Sequence, residues 1–413
     1  MVAPNLLLYR LYYSYAPSFV LSCGSKVSIF LNDCIFVPLH FLLNPREDVY
    51  VMRGNEKHSH LPMSVVFIGD SITATYFKNL IFSEAIEQKW NKRISIRKLR
   101  SIEDDKELSA DIIIIRTGKF LSYYLKRKKY FTIPEWPNAV LELDKSEDRN
   151  RYLSKNAKEY LRKLRKKIKD YNVMIEEFHS PEMIKYFYDK FYVPFSNERH
   201  GDLAEIQSFH FLRKISIQGG LLFIKTDNSY IAGVLYLKKP GHSFHFFRWG
   251  ISETINGNLR KLAGGMLHFL SIEWAKEKGY QEFNFGGSRP ILNDPILLYK
   301  KKWGTILCEN PTQGMVVGLK FLHFNESTFS FLHHNPFIFK NKKDLIGVVP
   351  YPKGYNDLGP FVSIKEEYGM SGLSYFLVLY PESCVQSSLE SFKNEKEMKC
   401  CPFSEELYDT VFS

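Results

Sequence analysis

Two short, wholly apolar runs mark the first third of the chain. Val65-Val66-Phe67-Ile68 stops at Gly69, and Ile112 to Ile115 is soon followed by Gly118; both read as buried strands. The stretch between them is rich in Glu, Lys and Arg and reads as helical in its first part. Further on, Leu161, Leu164 and Ile168 recur among Lys155, Lys158, Arg162, Lys163, Arg165, Lys166, Lys167 and Lys169, predicting a basic helix with a narrow apolar stripe. Pro181 opens a helix with Ile184, Phe187, Tyr188 and Phe191 on one face. Three strands are then expected, Leu221 to Lys225, Tyr230 to Lys238 and His242 to Trp249, joined at Asp227-Asn228 and Pro240-Gly241. Ala263, Met266, Leu267, Leu270 and Trp274 repeat at helical spacing up to Gly279, and a strand at Glu282 to Phe285 follows.

This order predicts a mixed α/β protein with central sheets flanked by helices. At 413 residues the chain exceeds what one core organises. The expected domains are 1–148, 149–325 starting at the basic helix, and a C-terminal extension 326–413. That extension holds a strand at Tyr375 to Leu379, packs in part on the first domain and ends in a polar, loosely ordered tail. Apolar residues at 45% and charged residues at 24% suffice for sizeable cores, and at 15% aromatic content many core positions are rings. A net charge of +11 favours phosphate-bearing partners: a nucleotide cofactor, an RNA or an anionic membrane surface. The six cysteines form no C-x-x-C pair, which fits reduced thiols in a cytoplasm and no metal site. Asn5 to Leu21 is largely apolar, but Arg10 and Pro17 interrupt it, so it reads as a peripheral membrane contact at most.

Candidate chemistry concentrates in two stretches. Asn258 to Gly265 lies between a predicted strand and helix, and carries Arg260, Lys261, Ala263, Gly264 and Gly265. Free N–H groups at a helix start favour a phosphate, and glycines let the backbone approach it. The second stretch runs Phe283-Asn284-Phe285-Gly286-Gly287-Ser288-Arg289-Pro290, then Asp294 and Tyr299-Lys300-Lys301-Lys302-Trp303-Gly304. There the glycines splay a strand end, Ser288 and Arg289 project from a loop, and Lys300 offers a cation for a phosphate or an oxyanion.

Together these segments resemble the GNAT superfamily of N-acyltransferases, and more closely its Fem-type branch with tandem GNAT-like domains. Arg260-Lys261-Leu262-Ala263-Gly264-Gly265 is similar to the Q/R-x-x-G-x-G/A pyrophosphate loop, with Ala263 in place of a glycine. Tyr299, Lys300, Trp303 and Gly304 match a Fem-like aromatic, lysine, aromatic-glycine pattern; Tyr192-x-Pro194 and Arg199-His200-Gly201 look like the entry to the second domain. The resemblance implies acyl-CoA as donor bound by Arg260 to Gly265, and an amine acceptor on an amino sugar or envelope precursor held near Arg199, Ser288 and Arg289. It also implies chemistry at Lys300, Tyr299 and His200, with no metal. The Fem-type alternative takes the acyl group from aminoacyl-tRNA. Glu198, His200 and Asp294 are the candidate general bases, and direct attack by the amine needs no enzyme nucleophile.

Two competing readings remain. Gly69-Asp70-Ser71 resembles the first block of SGNH hydrolases, but the chain has no Asp-x-x-His to activate the serine. A binding-only protein would use the basic helix to track a tRNA or lipid phosphate; DNA is not expected.

Overall fold

The computed structural model of the chain describes residues 46–95, 98–104, 109–143, 153–201, 206–227, 229–255, 257–310, 314–351, 359–381 and 397–412. Asn5 to Leu21 and Asn228 lie outside these. In chain order the first elements are β1 (Arg46–Glu56), β2 (Pro62–Ile68), α1 (Ser71–Ile81), β3 (Phe82–Ser95), α2 (Leu99–Glu103), β4 (Ile112–Gly118), α3 (Ser122–Arg127) and β5 (Phe131–Pro134). There follow β6 (Asn138–Glu142), α4 (Lys155–Asp170), β7 (Met174–Phe178), α5 (Pro181–Phe187), a π-helical turn (Tyr188–Tyr192), α6 (Val193–His200) and α7 (Phe209–Ser216). Next are β8 (Gly219–Thr226), β9 (Ser229–Lys239), β10 (Ser243–Ile251), α8 (Gly257–Glu277), β11 (Glu282–Gly287), α9 (Pro295–Lys301) and β12 (Ile306–Cys308). The chain closes with β13 (Met315–Phe321), α10 (Glu326–His334), β14 (Phe337–Asn341), β15 (Asp344–Pro350), α11 (Gly359–Tyr368), β16 (Leu373–Tyr380), β17 (Met398–Pro402) and α12 (Glu406–Phe412).

The described residues form two compact units, those within 46–137, 289–297 and 309–412 in the first and those within 138–288 and 298–308 in the second. These bounds differ from the expected 148 and 325. Strand β6 hydrogen-bonds to β11 and β12, which places it in the second unit, whereas β13 pairs with β4 and β5 of the first. Both pairings join segments more than a hundred residues apart, so no local pattern announces them.

The first unit holds a six-stranded sheet, β3-β1-β2-β4-β13-β5, and a four-stranded one, β14-β15-β16-β17. The long β3 is unexpected in a charged segment. It is an edge strand on β1, where main-chain bonds do the pairing and Glu84 and Arg93 stay exposed. The end of the chain is also packed where a loose tail was expected. Leu407 and Tyr408 are buried, and the Tyr408 hydroxyl bonds both the amide and the carbonyl of Phe321. Four aromatic rings, Phe321, Phe324, Phe403 and Tyr408, supply the apolar area that holds it.

The second unit is built on a seven-stranded sheet, β12-β6-β11-β10-β9-β8-β7, antiparallel except for β10 and β11. Helix α8 connects that parallel pair, as a parallel connection requires. On α4, Ser154 caps the N-terminus by accepting from Ala157 N, and Ala157, Leu164 and Ile168 are buried while the lysines stay outside. Beneath α5 and the π-helical turn lies a core of Phe187, Phe191, Leu221, Phe223 and Leu235. The π-helical turn brings the Phe191 carbonyl so close to β10 that a Cβ at Gly250 would overlap it. Gly250→Ala is therefore expected to destabilise the protein by about 2 kcal/mol through overpacking against backbone, read as a lower denaturation midpoint in urea. A wild-type midpoint would show that this turn yields.

Candidate functional site

The parallel pair β10 and β11 stays in register for only three pairs, Ser243↔Glu282, Phe244↔Phe283 and His245↔Asn284. Beyond them β10 runs on to Ile251 and β11 to Gly287, without pairing each other. Each strand is irregular where they part. On β10 the register with β9 shifts between Phe246 and Arg248; on β11 the register with β6 shifts between Asn284 and Gly287. Gly286 adopts φ +77°, and its amide donates to Asn284 Oδ1 at 2.8 Å. A side chain there would be strained, so glycine lets β11 turn away. The strand edge of β10 past His245 is thus left with main-chain groups that β11 does not satisfy.

Two histidines absent from the expected set sit at this parting. His268 on α8 is 5% exposed and stacks on Phe246 of β10 at 4.1 Å and on Phe285 of β11 at 5.2 Å. Its Nδ1 lies 2.7 Å from the Gly264 carbonyl, which assigns the proton to that nitrogen, and 3.2 Å from the Tyr299 hydroxyl. Burial, reinforced by the charge of Lys300, holds its pKa down to about 4 against the Gly264 bond. His245 lies on β10 at the last register pair, and a Cβ on Gly286 would stand 4.0 Å from its Nε2. Burial again lowers its pKa to about 4, helped by Lys239, Arg248 and Lys300. Both imidazoles are neutral near pH 7. Histidine inside a predicted strand or on a helix face is ordinarily a core residue, so neither stood out from its spacing.

Lys300 was expected as a projecting cation. Instead it is 5% exposed, and its Nζ donates to the carbonyls of Gly286 at 2.8 Å and Gly287 at 2.7 Å. It fixes the turned-away end of β11. Tyr299, its neighbour on α9, lies against His268 and Trp303. Burial and the adjacent Tyr160 raise its pKa well above the phenol range, so its hydroxyl stays protonated. Ser288 is 1% exposed, and its Oγ has no hydrogen-bond partner in the protein; nor has Oδ1 of Asn138, which faces Gly287 across the β6–β11 register.

The expected phosphate loop takes another form. Residues 258–265 are not a loop but the first turns of α8, so the amides of Ala263, Gly264 and Gly265 are bonded inside the helix. The glycines serve packing. A Cβ on Gly264 would press on the Trp249 ring, and one on Gly265 on Tyr160 of α4. Lys261 is exposed. Arg260 donates to the Ser252 carbonyl at 2.6 Å and pairs with Glu198. Only the first turn, from Gly257 to Arg260, has amides without intrahelical acceptors.

The remaining expected residues scatter. The Arg199 guanidinium lies over Phe195 at 6.0 Å and Trp249 at 5.8 Å. His200 ends α6, and its side chain is outside the described residues. Arg289 belongs to the first unit, where it lies 4.1 Å over the Tyr76 ring. Asp294 accepts from the amides of Ile296 and Leu297, capping α9. In the hydrolase-like segment, Asp70 caps α1 by accepting from Thr73 N and pairs with Arg116, so it orients no histidine for Ser71. Among the described residues no three His, Cys, Asp or Glu side chains group to hold a metal ion.

No family model matches the chain, and no curated protein does. Solved structures similar to it include L-PGS from Bacillus licheniformis, at 13% identity and TM-score 0.35 over 67% of this chain and 84% of that one. FemX aligns at 14% identity and TM-score 0.35 over 63% and 82%. A GCN5-related N-acetyltransferase from Kribbella flavida aligns at 11% identity and TM-score 0.27 over 62% and 81%. Among the described residues no helix is long and apolar enough to cross a membrane.

Proposed function

We propose that this protein is an acyltransferase that moves an acyl group from acyl-CoA to an amine, such as that of an amino sugar or an envelope precursor. The observation that carries the reading is the parting of β10 from β11 after three pairs, with a neutral histidine at the fork and each strand leading on to a helix. The open edge of β10 offers main-chain groups to an extended thioester arm, and the first turn of α8 offers amides to its diphosphate. The acceptor nitrogen attacks the thioester carbon, forming C–N and breaking C–S. His245 takes the ammonium proton, directly or through a water, and the Tyr299 hydroxyl faces the leaving sulfur as a hydrogen-bond donor. Lys300 is a positioning residue that holds the fork open.

His245→Gln should lower kcat by about 100-fold while leaving the thermal midpoint within a degree or so of wild type. In the free enzyme the acid limb of kcat/KM should fall near the pKa of about 4 rather than in the ordinary histidine range. Unaltered turnover in the variant would remove His245 from the mechanism. Coenzyme A should raise the melting temperature by linkage.

A second reading, aminoacyl-tRNA as donor, is favoured by α4. Its exposed face carries Lys158, Arg162, Lys163, Arg165, Lys166 and Lys169. No stabilisation by coenzyme A, together with a salt-sensitive tRNA mobility shift, would select this donor.

A further inference from the structure

The end of the sheet opposite the fork holds a cavity. Strands β10 and β11 begin side by side at Ser243 and Glu282, and the segments leading into them, 238–242 and 278–280, line a cavity of about 610 Å³. That volume lies within the range of small-molecule sites. Its wall carries Lys238, Lys239, Lys278, His179 and His242, with the rings of Trp274 and Tyr280. One carboxylate, Glu177, also lines it, and it is already engaged by the Tyr236 hydroxyl and by His179 Nε2 at 3.1 Å. Lys278 lies 5.7 Å from the Trp274 ring centroid. Lys238 and Lys239 end β9 with their side chains exposed, and among the described residues neither forms an ion pair.

Lys238, Lys239 and Lys278 line one concavity whose carboxylate, Glu177, already has partners, so the wall carries positive charge that folding does not use. It does suit a ligand carrying two or more negative charges, since lysine binds phosphate as a mobile point charge. The flanking rings suit a flat group attached to it. We propose that this cavity binds a phosphate-bearing ligand, through Lys238, Lys239 and Lys278, at a site separate from the fork. The fork lies beyond the third pair of β10 and β11, roughly 10 Å along the strands. The inference does not rest on the acyltransferase reading.

The test is calorimetric titration of the full chain at low salt with inorganic pyrophosphate and with ADP, alongside co-sedimentation with phosphatidylglycerol vesicles. Wild type is compared with a variant carrying Lys238→Gln, Lys239→Gln and Lys278→Gln. A charge-matched control carries Lys158→Gln, Lys166→Gln and Lys169→Gln on α4. All six side chains are exposed, so both variants should keep the wild-type melting temperature. The expected result is saturable binding of the soluble phosphates, weakened by about tenfold or more in the cavity variant and little changed in the control. Vesicle binding lost only in the cavity variant supports the same site with a lipid headgroup as its ligand. Equal losses in both variants would reduce the effect to net charge and overturn the proposal. So would the absence of binding in every arm.

Discussion

Lys300→Ala should lower the stability of the protein by about 4 kcal/mol. The Gly286 and Gly287 carbonyls each accept a charge-assisted hydrogen bond from Nζ, at 2.8 and 2.7 Å, in a setting where Lys300 is 5% exposed. Such bonds contribute about 1.5–3 kcal/mol apiece, and truncation adds the loss of the buried stem. In a unit of this size that corresponds to a fall of roughly 10 °C in melting temperature. Lys300→Met keeps most of the apolar stem, so about half of the loss should return, while the two carbonyls remain without their donor. Activity should fall with both variants, because the turned-away end of β11 is no longer held. The decisive comparison is with a lysine acting on substrate: an alanine variant that melts with wild type yet loses turnover would restore that role and remove the positioning one.

Acidification supplies the second large effect. The His268 pKa is about 4 in the folded protein and 6.5 in the open chain. Between these values the unfolded state binds a proton that the folded state refuses. Stability from this group is therefore fully present above pH 6.5 and is lost as pH falls toward 4, by about 3 kcal/mol in all. His245, held down to about 4 as well, acts with the same sign over the same window. His268→Phe keeps a flat ring between Phe246 and Phe285 and has nothing to protonate. Urea denaturation at pH 7 and pH 4 should then show a smaller acid loss in the variant, by about 3 kcal/mol. Parallel losses in the two proteins would mean that His268 does not titrate on unfolding.

Much of the second unit could be read from the chain. The strands of β8, β9 and β10, the stripe of α4 and the helix ending before Gly279 all follow local periodicity, and the order of β10, α8 and β11 is set by sequence alone. The candidate site was legible only in part. Gly286 and Gly287 mark the place where β11 leaves its neighbour, and Lys300 proves to be bonded to both of their carbonyls. A lysine in a Y-K-x-x-W-G segment looks like a surface cation until two carbonyls are found within its reach. In sequence Gly264 and Gly265 look like a phosphate cradle, because glycine next to a helix start serves both close ligand approach and close helix packing. Trp249 and Tyr160, which decide between the two, lie 15 and more than 100 residues away in sequence.

Taken by itself, the sequence determined which segments are helix and which are strand over most of the second unit, since period and turn chemistry act within a few residues. Tertiary structure alone decided that β6 belongs with β11, that β13 lies between β4 and β5, and that His268 stacks on Phe246 and Phe285 where the two strands part. Those outcomes depend on hydrogen bonds and ring contacts between distant segments, and the free energy of such contacts exists only once the chain has folded.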